Sequence, residues 1–232
     1  MEVWIGSSGF SYKAWKGPFY PEDLPDKEML RYYGTRLPAV ELDNTFYRMP
    51  KRAVLEGWSA QTPESFRFTL KASRRITHFA RLKDADEPMS FLMNNVRILG
   101  EKLGCVLFQL PPFLQKDVAR LEAFLPLIPE DVPAAFEFRH KSWFDEEVMS
   151  CLRSRRVALC LADTEKTELE TLDQTADWGY LRLRKQGYDE VELSDWAARI
   201  RDTGWEKAFI FFKHEEAGVG PLLGEQLLRV LR

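Results

Sequence analysis

Short strand-like runs that alternate apolar and charged residues recur along the whole chain, and they constrain its fold more than any other feature. Examples are Phe136-Glu137-Phe138-Arg139, Leu181-Arg182-Leu183-Arg184 and Phe211-Phe212-Lys213. On a strand, residues two apart share a face, so each run has an apolar face and a face that carries charge toward its C-terminal end. A closed barrel would bury the apolar faces under helices and gather the charges at one rim.

The runs alternate with helical periodicity through the 232 residues. The predicted strands lie near 3–6, 39–44, 66–72, 105–110, 134–139, 157–162, 179–184 and 208–213. Predicted helices run over 50–60, 88–103, 117–127, 145–155 and 194–202 and from 221 to the end, with Asp117, Asp145 and Ser194 as N-caps. With no glycine-rich fingerprint after the first strand, this alternation predicts a parallel α/β (β/α)8 TIM-type barrel, one domain over 1–232.

Two segments depart from the alternation. The stretch 163–177 is poor in apolar residues, so its helix is expected to be short or absent. The stretch 7–26 has no helical period and contains five aromatic residues: Phe10, Tyr12, Trp15, Phe19 and Tyr20. A long irregular loop in a compact domain is usually functional, and this one follows strand 1 on the C-terminal face. Its rings either stack on a ligand or close the barrel top as an apolar plug.

Composition narrows the class of protein. The formal net charge is -3, so attraction for an anion must come from local clustering. No apolar run approaches the ~18 residues of a membrane span, and the N-terminus lacks the pattern of a signal peptide. Cys105, Cys151 and Cys160 have no metal-binding spacing and are expected to be buried, inert thiols. These features predict a cytoplasmic protein that has no membrane partner.

The charged faces predict a polar, charge-lined mouth at the C-terminal end of the barrel. Apolar positions such as Val40 and Phe136 would face the helices. The cations at the strand ends are Lys71, Arg139, Arg182, Arg184 and Lys213, against the carboxylates of Glu41, Asp43, Glu137 and Asp163. Guanidinium groups in such numbers suit carboxylate or phosphate recognition, and the alternative is a purely structural lattice of ion pairs.

Three residues are the candidates for acid–base catalysis: Glu137, Asp163 and His140. We expect Glu137 and Asp163 on adjacent strands, with arginines keeping Glu137 ionised as a base. The alternative is that Glu137 only pairs with Arg182 or Arg184. The candidate substrate-binding residues are Glu41, Asn44, Tyr47, Lys71, Gln109, Arg139, Arg182, Arg184, Lys213, His214, Tyr12 and Trp15.

Two further histidine interpretations remain open. His140 and His214 with nearby carboxylates could ligate a divalent metal, although the surrounding cations would repel it. We expect His78, which follows strand 3, to be a surface or capping residue that extends a basic patch.

Several motifs in order resemble the DUF72 (YecE-like) family. They include Ile5-Gly6-Ser7-Ser8-Gly9-Phe10, Asn44-Thr45-Phe46-Tyr47, Phe108-Gln109-Leu110-Pro111-Pro112, Phe136-Glu137-Phe138-Arg139-His140 and Leu181-Arg182-Leu183-Arg184. The resemblance covers nearly the whole chain and implies a TIM-type barrel without an established activity. Many members carry an asparagine pair where this chain has Lys213-His214, which predicts a different specificity if those asparagines bind ligand.

The leading functional expectation is an enzyme, a hydrolase or lyase with carboxylate acid–base chemistry, acting on a phosphorylated or carboxylated substrate. Its partner would be a small anion such as phosphate or a sugar phosphate. One alternative is a non-catalytic nucleic-acid or nucleotide-binding protein, and another is a metal-dependent phosphoesterase that resembles endonuclease IV. The sequence requires no cofactor and leaves a divalent metal open.

Overall fold

The computed structural model describes residues 1–165, 169, 171–213 and 216–231. Eight parallel strands close into a barrel in chain order, and β8 pairs with β1. The strands are β1 Glu2–Ser8, β2 Ala39–Leu42, β3 Arg67–Lys71, β4 Leu103–Gln109, β5 Ala134–Glu137, β6 Ala158–Asp163, β7 Trp178–Leu183 and β8 Lys207–Phe212. The predicted (β/α)8 barrel is confirmed.

Helices connect most of the strands. They are α1 Met29–Arg36, α2 Arg52–Gln61, α3 Asp86–Val96, α4 Val118–Phe124, α5 Glu146–Ser154, α6 Glu190–Arg201 and α7 Val219–Leu231. The described residues between β6 and β7 form no helix, in agreement with their lack of apolar residues. Within the described part of the chain, no helix is long and apolar enough to cross a membrane.

The helix starts follow their capping side chains. Asp117 accepts from the backbone of Arg120, and Asp145 accepts from that of Glu147, so both predicted N-caps are confirmed. The predicted start at Ser194 is wrong. Helix α6 begins earlier because Asp189 and Glu192 form a reciprocal capping box, which satisfies two exposed backbone donors. Ser194 lies inside the helix and donates to the Glu190 carbonyl.

The barrel has two apolar layers. The larger one lies between strands and helices and includes the outward residues Val40, Leu42, Phe136 and Phe138. The smaller one fills the lumen and contains Ala39, Cys105, Leu107, Ala135, Ala158, Cys160, Trp178, Tyr180, Phe209 and Phe211. Because alternate residues share a face, the inward position two residues later is polar on four strands: Glu41, Gln109, Glu137 and Arg182. The lumen is therefore apolar below and charged toward its C-terminal end.

The aromatic segment after β1 packs into the apolar core. Trp15, Phe19 and Tyr20 are buried, and the ring of Phe19 lies 6.0 Å from those of Tyr32 and Tyr33 on α1. Of the two interpretations of this loop, burial favours the structural one for these three rings.

Candidate functional site

Arg182 lies at the centre of the charged layer and is fully buried. Its Nη2 donates to Glu41 Oε1 at 2.7 Å, and its Nη1 donates to Glu137 Oε2 at 2.7 Å. Burial by itself would lower the pKa of the guanidinium, but Glu41 and Glu137 raise it well above its usual range. Arg182 therefore stays charged and joins β7 to β2 and β5 across the lumen.

The two buried carboxylates have further donors. Glu41 accepts from the Ser8 hydroxyl at 2.5 Å and from the Tyr180 hydroxyl at 2.6 Å. Glu137 accepts from Gln109 Nε2 at 2.8 Å. Burial would raise the pKa of Glu137, but Arg182 and then Arg184 hold it below its usual value. This layer is almost saturated by its own hydrogen bonds, which is what a buried ion pair requires to be stable.

Nearer to solvent, the charged side chains are joined by longer contacts than those of the inner layer. Asp43 Oδ1 lies 3.4 Å from Lys71 Nζ, and its Oδ2 lies 3.3 Å from Lys213 Nζ. Asp43 Oδ1 is also 3.3 Å from Arg182 Nη2. Burial would raise the pKa of Asp43, but Arg182, Lys71 and Lys213 together lower it. One ionised carboxylate is thus shared by three cations.

A π-helical turn, Arg75–Phe79, presents His78 to this layer. The His78 ring meets Phe46 edge to face at 4.8 Å, and Lys71 Nζ lies 4.9 Å from the centre of the same ring. Burial lowers the pKa of His78, and the charges of Lys71 and Arg139 lower it further. His78 is half-buried and borders the charged layer, so the expectation of a surface or capping role stays a prediction. Its position just after β3 was the one sequence signal that could have placed it here.

A cavity of about 680 Å³ opens beside the charged layer, between the ends of β5 and β6. Glu137, Arg139 and Arg184 line its polar side, and Phe144 and Leu161 line its apolar side. Arg184 Nη1 is 3.6 Å from Glu137 Oε1, and Arg139 is exposed. The volume is in the range of pockets that hold small metabolites.

Asp163 does not join this site, so the prediction that pairs it with Glu137 is wrong. On β6, Cys160 belongs to the lumen layer and Leu161 to the outer layer, so Asp163, two residues after Leu161, faces outward by alternation. There it accepts from the Tyr188 hydroxyl at 2.7 Å, and Tyr188 packs against Phe212 in the outer core. Burial raises the pKa of Asp163.

The remaining candidates lie around the rim. His140 caps the turn Lys141–Trp143, and its Nδ1 accepts from the Ser142 backbone. One ring nitrogen of His140 is therefore occupied by a hydrogen bond that stabilises the turn. Asn44 and Tyr47 are exposed on the turn after β2. The Tyr12 hydroxyl donates to the Ser8 carbonyl, while Trp15 is too buried to contact a ligand.

His214 lies outside the described residues. Among those described, no group of three or more His, Cys, Asp or Glu side chains could hold a metal ion.

Comparison with known proteins identifies relatives over the whole chain. The family model described as a protein of unknown function, DUF72, matches residues 4–232. The UPF0759 protein YunF of Bacillus subtilis is 27% identical over 99% of this chain and 94% of its own length. The UPF0759 protein YecE of Escherichia coli K12 is 30% identical over 50% of this chain and 43% of its own length.

Solved structures agree on the fold. A DUF72 family protein from Thermotoga maritima superposes with a TM-score of 0.88 at 27% identity, over 100% of this chain and 99% of the other. A D-psicose 3-epimerase from Clostridium cellulolyticum, solved with D-tagatose, has a TM-score of 0.58 at 10% identity and covers 100% of this chain and 96% of its own. At that identity the second likeness shows the fold alone.

Proposed function

Because the chain belongs to the DUF72 family, whose activity is not established, we propose a function from the site itself: an enzyme that binds a small phosphorylated or carboxylated substrate at the barrel mouth. One observation carries the proposal. Among the described residues of the mouth, six cations, Lys71, Arg139, Lys141, Arg182, Arg184 and Lys213, face four carboxylates, Glu41, Asp43, Glu137 and Asp173. A bound anion would balance that excess.

The anion-binding groups are those that remain after the buried pairs are satisfied. Arg182 is committed to Glu41 and Glu137 and has no exposed surface. Arg184 and Lys213 keep 26% and 30% of their side chains exposed, and Arg139 faces the same cavity as Arg184. Two guanidinium forks across a cavity can bind the oxygens of a phosphate or carboxylate in a bidentate manner.

Glu137 is the group that would act as base. It lines the cavity and is ionised, and its Oε1 has Arg184 at 3.6 Å as its nearest described partner. An ionised carboxylate within reach of a substrate held by Arg184 can accept a proton from it. Since Asp163 faces outward and His140 caps a turn, we assign the second proton-transfer role to His78.

The proposal is tested by titrating the full chain with glycerol 3-phosphate, phosphoglycolate and citrate by calorimetry at low salt. We expect at least one to bind, and Arg184→Ala to weaken it by about tenfold, since a charge-assisted hydrogen bond contributes about 1.5–3 kcal/mol. Arg31→Ala, on the exposed side of α1, is the matched control and should bind as wild type. Absence of binding by all three anions, or equal affinity in Arg184→Ala, would contradict the proposal.

A second candidate function, binding of single-stranded nucleic acid, is favoured by the surface beside the mouth. The Arg74 guanidinium lies 5.4 Å from the Tyr47 ring and 5.2 Å from the Phe79 ring, and that of Arg81 lies 5.3 Å from the Phe113 ring. The three rings are 67%, 66% and 62% exposed. Exposed aromatic rings next to arginines are the elements with which proteins stack bases and neutralise phosphates.

This candidate is tested with a fluorescent oligothymidylate at low and moderate salt. We expect binding that weakens steeply with salt, and a loss of affinity in the double variant Tyr47→Ala/Phe79→Ala, since each stacked base contributes about 1–3 kcal/mol. The control is Val191→Ala, because Val191 is an apolar side chain on α6 that is 69% exposed and lies away from these rings in the sequence and the fold. Equal affinity of the double variant and wild type would remove the candidate.

A further inference from the structure

Two lysines of this barrel are buried to the same degree but are held in different ways. Lys102 and Lys71 are 6% and 7% exposed. Lys102 Nζ donates to the carbonyls of Ser59 and Thr62 at 2.7 and 2.8 Å. Lys71 Nζ has a longer contact: Asp43 Oδ1 lies 3.4 Å away, and Lys213 and Arg182 share that carboxylate.

Desolvation of an ammonium group is costly unless close acceptors compensate for the lost water. Lys102 shows that this chain satisfies a lysine with carbonyl oxygens where the role is structural. Burial lowers the pKa of Lys71, an effect that Asp43 opposes and Arg182 reinforces. The Lys71 amine is therefore more readily deprotonated than an ordinary lysine, and it stands at the end of β3, where a barrel places its chemistry.

We propose that Lys71 is a nucleophilic amine that forms a Schiff base with an aldehyde or ketone bearing a carboxylate or phosphate group. The anion-binding part of this inference rests on the function proposed above. The ring of Phe46, which contacts both Lys71 and His78, gives the carbonyl an apolar wall. Lysines that are desolvated beside another cation are activated in the same way for Schiff-base formation.

The step balances without any oxidant or reductant. The Lys71 ammonium gives one proton to the neutral ring of His78, and the free amine attacks the carbonyl carbon. A carbon–nitrogen bond forms, the carbonyl π pair moves to oxygen, and a second proton passes from nitrogen to that oxygen. His78 then returns its proton to the carbinolamine hydroxyl, which leaves as water. The product is a protonated imine on Lys71, with the total charge unchanged.

His78 is suited to this transfer because its ring is oriented by a neighbour and lies against the same Phe46 ring as Lys71. Nδ1 is 2.9 Å from the Thr77 hydroxyl, which orients the ring. Burial and the charges of Lys71 and Arg139 lower its pKa, so the ring is neutral near pH 7 and able to accept a proton. Asp43 is a weaker base because its own pKa is lowered, and it serves to position the amine.

The test is reductive trapping on the full chain with glyoxylate and sodium cyanoborohydride near pH 7.5, followed by peptide mass spectrometry. We expect Lys71 to be labelled several-fold faster than exposed Lys27, since a lower pKa raises the free-amine fraction at this pH. Lys102 is the matched buried control and should stay unlabelled. The variant Lys71→Arg should lose the fast label and keep its melting temperature within a few degrees. Labelling of Lys71 no faster than Lys27 would overturn the inference.

A parallel reaction with butyraldehyde separates this inference from the proposed function. If both hold, glyoxylate labels Lys71 faster than butyraldehyde does, and Arg184→Ala removes the difference. If the mouth does not bind anions, the ratio of the labelling rate at Lys71 to that at Lys27 is the same for both aldehydes and still exceeds one, which supports the amine alone. Binding of anions in calorimetry without labelling of Lys71 would retain the proposed function and reject the Schiff base. As a second readout, His78→Gln should slow trapping and flatten its pH dependence.

Discussion

Glu137 and Asp163 are carboxylates at the ends of neighbouring strands, yet they lie in opposite environments. Glu137 faces the lumen, where Arg182, Arg184 and Gln109 surround it and its pKa is lowered. Asp163 faces the helices, where it accepts from Tyr188 and burial raises its pKa. The ionised form of a carboxyl group is thus stabilised on the lumen face of the barrel and destabilised on the outer face. The face of the strand decides the role, and nearness to the strand end does not.

The strongest test of this comparison removes the central cation. In Arg182→Met, Glu41 and Glu137 remain buried without their counterion, and breaking a buried pair in this way costs about 3–5 kcal/mol. We expect a loss of that size in the free energy of unfolding measured with urea. Arg153→Met, which breaks the exposed pair with Glu146, should lose far less.

The triple variant Glu41→Gln/Glu137→Gln/Arg182→Met sharpens this result. Because neutral groups replace all three charges, it should be more stable than Arg182→Met alone. Equal stability of Arg182→Met and Arg153→Met would show that the lumen charges are solvated and that the comparison is wrong.

The second-largest effect is the loss of folding stability at low pH that protonation of Glu137 in the lumen causes. The folded-state pKa of Glu137 lies below its ordinary 4.5. Its ionised form therefore contributes stability that is complete above that value and is lost as the pH falls through the lowered pKa. We expect wild type to lose more stability than Glu137→Gln between pH 6 and pH 3, by about 1.4 kcal/mol for each unit of the shift. Parallel curves for the two proteins would contradict the prediction.

The smallest effect has the opposite sign and comes from the outer face. The folded-state pKa of Asp163 lies above its ordinary 3.8, so ionisation of this group works against folding as the pH rises. Asp163→Asn removes that penalty and keeps an oxygen for Tyr188. Relative to wild type, the variant should gain stability between pH 3 and pH 7, by less than the Glu137 effect, because the Tyr188 hydrogen bond and the charges of Lys185 and Arg199 offset part of the cost of burial. A loss over that interval would show that the charge of Asp163 stabilises the fold.

Alternation along the strands made much of this structure predictable. The period of two residues separates Phe136 from Glu137 and Leu181 from Arg182, so the lumen layer and its charges follow from strand order alone. The same rule, applied to Leu159 and Leu161 as outward residues, would have placed Asp163 outward as well. The prediction for Asp163 was wrong because it relied on proximity to the strand end and did not consider which face of the strand the residue occupies.

Other parts of the site depend on contacts that the sequence does not display. The position of His78 requires the π-helical turn Arg75–Phe79, and nothing in the local pattern distinguishes that turn from an ordinary loop. The start of α6 was missed for a different reason. Asp189 and Glu192 have the spacing of a capping box, a signal that was present but outweighed by Ser194.

The pairing of β5 with β6 is brief. Two residue pairs join these strands, against six between β1 and β8 and six between β7 and β8. Local opening is easier where fewer backbone hydrogen bonds must break, so we expect this seam to open more readily than the seams of β8 with β1 and β7. The cavity that holds Glu137 and Arg184 lies over the same seam. Separation of β5 from β6 would therefore widen the cavity, while the other strand pairs hold the charged residues of the lumen in place.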